Sequence, residues 1–152
     1  MPDKQTKPSL RRSPRQFFTV EQANARLPLV RAITVDMVEL FTDMVERRTR
    51  LESLLEGRKP QVKDAYSDEL VEMMKALDRD QHRLNDYVAE LTALGVEPKG
   101  GTEGLVDFPA MLEGREVYLC WRLGETEITH WHELASGYAG RQPLAIGAFH
   151  GE

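Results

Sequence analysis

A single cysteine, Cys120, stands in 152 residues, which excludes an intramolecular disulfide and a cysteine-rich zinc site. Long apolar runs are missing too. No stretch approaches the roughly 20 residues that a membrane-spanning helix needs, and the opening Met1-Pro2-Asp3-Lys4-Gln5-Thr6-Lys7 has none of the apolar character of a signal peptide. The expectation is a cytoplasmic chain with no membrane role. Absent as well are the serine-hydrolase elbow, the P-loop, the dinucleotide fingerprint and HExxH. His132-Glu133 makes half of the last, but Ser136 stands where its second histidine would be. Aromatics amount to 7%, and no aromatic-rich basic surface argues for nucleic-acid binding.

What is present suits a soluble domain with long exposed helices: 41% hydrophobic and 30% charged residues in a length that fits one core. Charge is uneven. Residues 1–16 carry +4 against −5 for the whole chain, which leaves −9 on the rest. That arm reads as a disordered basic tail, with RNA, DNA or an acidic partner as the alternative use of it. Residues 17–144 read as a single α+β domain, and 145–152 as a flexible C-terminal tail.

Thr19 and Gln22 have capping-box spacing, which predicts a short N-terminal helix from Val20 to Arg26, with Pro28 in the first turn of a second helix or at a kink. Val30, Thr34, Met37, Phe41, Met44, Arg48, Leu51 and Leu55 then form a heptad seam that Gly57 and Pro60 stop. A further helix, capped by Ser67, carries Leu70, Met74, Leu77, Gln81, Leu84, Val88 and Leu91 at the same spacing and ends at Gly95. The short connection implies a coiled-coil-like antiparallel hairpin in which Leu51 meets Met74, Phe41 meets Leu84 and Arg48 comes near Asp78. Ile33, Val38, Leu40, Val45 and Leu54 fall outside this seam. A sheet or a second copy must cover them, and a homodimer is expected.

From Leu105 the period becomes two. Glu113-Gly114 and Gly124-Glu125 read as two-residue hairpin turns, which makes a three-stranded antiparallel β-meander of 105–112, 115–123 and 126–132. This register pairs Arg122 with Glu127 and puts Pro109 on an edge. Val106, Phe108, Ala110, Val117, Leu119, Trp121 and Ile128 then share a core face that His130 and His132 continue. Asp107, Tyr118, Cys120, Arg122, Thr129 and Trp131 take the other.

Two candidate sites emerge near the C-terminus. His130-x-His132 points both imidazoles one way along a strand, so both could reach one divalent ion such as zinc, with Glu133, His82, His150, Glu39 or Glu46 as further ligand. The same histidines also suit hydrogen-bonded core positions. Gly137, Gly140 and Arg141 suggest an anion site, in which a tight glycine turn converges amides and the guanidinium grips a carboxylate or phosphate. A plain turn with Arg141 paired to an acidic helix is the other reading. Cys120 reads as a buried thiol, since the expected register sends both histidines to the opposite face.

Phe18-Thr19-x-x-x-Ala23-Asn24-x-x-Leu27-Pro28, Gly104-Leu105-Val106-Asp107-Phe108-Pro109, Tyr118-Leu119-Cys120-Trp121-Arg122-x-Gly124-Glu125, and Trp131-His132 with Gly140-Arg141-x-Pro143 together resemble the bacterial domain-of-unknown-function family 2203. That resemblance implies no activity and no catalytic residues, and it makes His132 the more general feature of its segment. The leading expectation is a homodimeric interaction or regulatory module without catalysis. A metal- or small-anion-binding protein, whether or not an enzyme, is the alternative; nucleic-acid or ribosome association through the basic arm comes after it.

Overall fold

The structure, a computed structural model, describes residues 16–57 and 65–144. Except for Gln16, the expected tails 1–16 and 145–152, with His150, lie outside the described residues, as does Pro60. The capping box forms in full. Gln22 N–H donates to Thr19 Oγ1 and Thr19 N–H to Gln22 Oε1, both at 3.0 Å, so two amides at the helix start are satisfied reciprocally.

Helix α1 (Val20–Gly57) then runs without interruption, and Pro28 lies inside it. The expected short helix ending at Arg26 is therefore corrected to one helix. Proline keeps a helical φ and removes one hydrogen bond, while Ala23, Leu27, Val30 and Ile33 continue one buried stripe through that turn. Packing along this stripe outweighs the lost bond.

Helix α2 (Ala65–Ala93) begins ahead of Ser67, so Ser67 sits in its first turn rather than capping it. Its end follows the expectation: Gly95 adopts φ 90, Gly95 N–H donates to the Thr92 carbonyl and Val96 N–H to the Leu91 carbonyl. These are the paired bonds of a Schellman motif, closed by contact between apolar residues on either side of the glycine. Tyr66 reaches the Leu54 carbonyl, Arg47 pairs with Asp80, and Arg26 reaches the Leu94 carbonyl, so the two helices lie antiparallel. Their contact line keeps Met44, Leu51, Leu70 and Leu77 of the expected seam and adds Leu40, all buried between them. It leaves out Leu55 and Met74, which are 39% and 52% exposed. Arg47 rather than Arg48 crosses the interface, and Asp78 lies beside His82 instead.

The α+β class expected from the sequence holds, with two helices followed by an antiparallel sheet of five strands in the order β1-β2-β3-β4-β5. These are β1 (Glu97–Pro98), β2 (Leu105–Leu112), β3 (Arg115–Arg122), β4 (His130–Glu133) and β5 (Gln142–Pro143). The β2–β3 hairpin has the expected register, Leu112 opposite Arg115 and Asp107 opposite Cys120. Its turn places Glu113 at φ 51 and Gly114 at φ 83, the two positive angles of a type I′ turn that matches strand twist. Pro109 offers no N–H, but its carbonyl accepts Phe18 N–H at 2.7 Å.

The third strand is corrected in extent and in register. β4 starts at His130, not at residue 126, and Cys120 rather than Leu119 lies opposite His130. The expected two-residue turn gives way to a longer excursion. Glu125 N–H closes a turn on the Arg122 carbonyl, and Ile128 N–H leaves the ladder to donate to Asn24 Oδ1 of α1 at 2.8 Å. A slip of one residue exchanges the two faces of a strand. Trp131 therefore joins Val106, Phe108, Leu119 and Trp121 in the core against α1 and α2, and His130 and His132 move to the far face. The expected Arg122–Glu127 pairing goes with the old register; Glu125 takes the Arg122 amide instead.

Candidate functional site

The far face of the sheet carries an acidic residue in the middle of an otherwise apolar strand. Asp107 is 4% exposed, between buried Val106 and Phe108. A buried carboxylate needs partners, and the slipped register supplies one. Asp107 on β2 lies opposite Cys120 on β3, and Tyr118, next but one along β3, lies opposite His132 on β4. Asp107, Cys120 and His132 therefore converge: a carboxylate oxygen, Sγ and an imidazole nitrogen lie within 4.8 Å of one another, and all three residues are buried. Among the described residues this is the one group of three or more His, Cys, Asp or Glu side chains so disposed.

Hydrogen bonds fix the imidazole. His132 Nδ1 lies 2.7 Å from the Glu133 carbonyl and Nε2 3.1 Å from Asp107 Oδ1. A carbonyl only accepts, so Nδ1 carries hydrogen and Nε2 is the nitrogen that faces the cluster. Two bare acceptors would repel at 3.1 Å, so one proton is held between Nε2 and the carboxylate. Burial pushes the Asp107 carboxyl up, against the opposing pull of His132 and Lys99. Burial, reinforced by Asp107, pushes the Cys120 thiol up to about 11. At neutral pH Cys120 is a thiol, and the imidazole beside it has both nitrogens engaged, which is a poor arrangement for a nucleophile and its base.

The cluster faces a cavity of about 110 Å³ walled also by Lys99, Leu105, Tyr118, Leu134, Gly137 and Tyr138. Tyr118 packs its ring 5.5 Å from that of His132 and donates its hydroxyl to Glu97 at 2.8 Å. The Lys99 ammonium sits 5.1 Å above the Tyr118 ring and 3.2 Å from Glu97.

Of the residues expected to ligate a metal, His132 belongs to this cluster. His130 shares its face but lies 2.8 Å from Thr129 Oγ1 and is half-buried. The Glu133 carboxylate pairs with Arg115, and His82 lies exposed beside Asp78 on α2. The expected anion site is divided. Gly137 lines the cavity with φ 67, whereas both terminal nitrogens of Arg141 are held by Glu125, at 2.8 and 3.0 Å. Its guanidinium also lies 4.6 Å from the Tyr138 ring and reaches the Cys120 carbonyl at 3.2 Å. Arg141 thus clasps the turn after β3 beneath the site, and Gly140 packs against Ser136. Asp107 and Cys120 were not among the expected ligands, because the cluster they form with His132 depends on one residue of register.

The sequence model of one family, described as an uncharacterized conserved protein (DUF2203), matches residues 16–144. No curated protein and no solved structure matches the chain.

Proposed function

Since the chain belongs to the DUF2203 family, whose description names no activity, we propose a function from the site itself: the protein binds a divalent transition metal of the zinc type through Asp107, Cys120 and His132. The observation that carries this reading is the convergence of three buried side chains whose donor atoms lie within 4.8 Å of one another. Oxygen, sulfur and imidazole nitrogen are the donor set of zinc. The Glu133 carbonyl does for Nδ1 what outer-shell acceptors do in metal sites: it fixes the ring so that Nε2 faces the ion. Metal binding would displace the proton held between His132 and Asp107 and that of the Cys120 thiol, so it releases protons. Three protein ligands in front of a cavity correspond to an open site, the kind that takes water or a substrate in its fourth position, rather than a closed structural one. The test is addition of cobalt(II) to the metal-free protein. Absorption from thiolate-to-cobalt charge transfer, lost in Cys120→Ser, supports the reading; a wild-type spectrum without it refutes the cysteine ligand.

A second reading is an interaction module that forms a homodimer. The observation favouring it is exposed apolar surface on α2: Val71 and Met74, 45% and 52% exposed, line one surface depression, and exposed apolar patches mark association sites. Sedimentation across a concentration series tests it, with a monomer at all concentrations as the refuting outcome. The two readings are compatible, because the helices and the cavity lie on different sides of the sheet.

A further inference from the structure

We infer that the cavity beside Asp107, Cys120 and His132 binds a small monovalent anion on the metal's open position, with Lys99 as its electrostatic partner. The inference rests on the metal reading above and adds the ligand class and a residue that the metal site itself does not require.

Size limits the ligand first. The cavity of about 110 Å³ suits a few waters or one group of a few heavy atoms such as acetate or azide. Charge limits it next. Among the described residues, those walling the space include one cation, Lys99, and the acidic groups Asp107 and Cys120. A divalent ion neutralises a bound carboxylate and a bound thiolate, which leaves Lys99 as the wall's remaining charge. Glu97 pairs with Lys99 at 3.2 Å, but it also accepts the Tyr118 hydroxyl and does not line the cavity. Geometry agrees with this. The ammonium is held over the Tyr118 ring, that ring packs on His132, and Lys99 and Asp107 each feel the other's charge. An anion on the ion's cavity side therefore meets the metal on one flank and the ammonium on the other, in a partly dry space where both attractions are stronger than in water. Leu105 and Leu134 make two of the other walls apolar.

The experiment uses the full chain loaded with cobalt(II), titrated with azide and with acetate while the visible spectrum is followed. Saturable spectral change is expected. Lys99→Met should weaken both anions by about tenfold, a charge contact of ordinary strength, with cobalt stoichiometry unchanged and Lys99→Arg restoring most of the affinity. Leu134→Trp, at an exposed position on the cavity wall, should block the anions and keep the metal. Cobalt bound at one per chain with a spectrum that neither anion alters overturns the inference and leaves the metal reading standing. Equal affinity in Lys99→Met overturns the role of Lys99. Failure to bind cobalt in a folded protein overturns both readings.

Discussion

His132 on β4 reaches across β3 to Asp107 on β2, with Nε2 3.1 Å from Oδ1. Two side chains from strands that are not neighbours meet because the residue beneath them, Cys120, is small. A larger residue there would fill the space both lean into. The contact explains how a carboxylate 4% exposed is tolerated, and it aims a ring nitrogen, a carboxylate and a thiol at one point.

Removing His132 should therefore cost more than removing the charge of Asp107. In the presence of a chelator, His132→Ala leaves a buried carboxylate without its partner and should destabilise by about 3–5 kcal/mol. Asp107→Asn should cost less than about 1 kcal/mol, because its amide can donate to Nε2 and keep the contact satisfied. Urea unfolding measures both; equal losses would contradict the hydrogen-bond assignment.

Two glycines with positive φ should respond differently to alanine. At Gly114, φ 83, an added Cβ meets nothing, so Gly114→Ala should cost only backbone strain, about 1 kcal/mol. At Gly104, φ 68, it would come within 2.7 Å of the Leu123 Cβ and 3.2 Å of Thr34, so strain and overpacking combine to about 2–4 kcal/mol. Thermal or urea midpoints of the two variants check the order.

Thr34 is fully buried on α1 and its hydroxyl has no hydrogen-bond partner among the described residues. Thr34→Val keeps the shape and removes the unsatisfied group, so it should stabilise the protein by about 1 kcal/mol. A loss of stability in urea unfolding would mean that the hydroxyl is satisfied in solution.

The clasp between Arg141 and Glu125 makes stability acid-sensitive. Burial alone would raise the Glu125 carboxyl, but the Arg141 guanidinium and the Arg122 amide outweigh it and hold it below its ordinary 4.5. A carboxyl whose folded value is depressed contributes in full above its unfolded value, and the contribution is lost as pH falls through the folded one. Glu125→Gln should thus be less stable than wild type at neutral pH by about 1–3 kcal/mol, with the gap closing in acid below about pH 4.5. A gap that does not change with pH would exclude this origin.

How far the sequence foretold this arrangement depends on where information is local. The capping box at Thr19, the stop at Gly95 and the type I′ turn at Glu113-Gly114 are set by residues a few positions apart, and each formed as expected. Helix α1 was mis-divided because Pro28 carries a local signal that the buried stripe from Ala23 to Ile33 overrides. The site was misplaced because β4 register depends on Asn24, more than 100 residues away in sequence, which draws off the Ile128 amide. One clue was present in the pattern His130-Trp131-His132: burying one indole in the core and leaving two imidazoles on the other face is the more apolar assignment. Asp107 gave the other, as an acid between Val106 and Phe108 in a run too apolar to leave it in water.

The most direct test of the account is elemental analysis of untagged wild-type protein beside His132→Gln, Asp107→Asn and His130→Ala. Near one zinc-type ion per chain is predicted for wild type and for His130→Ala, with loss in the other two variants while their helical content is retained. No metal in a folded wild type after incubation with zinc, or loss with His130 but not with His132, would contradict the account.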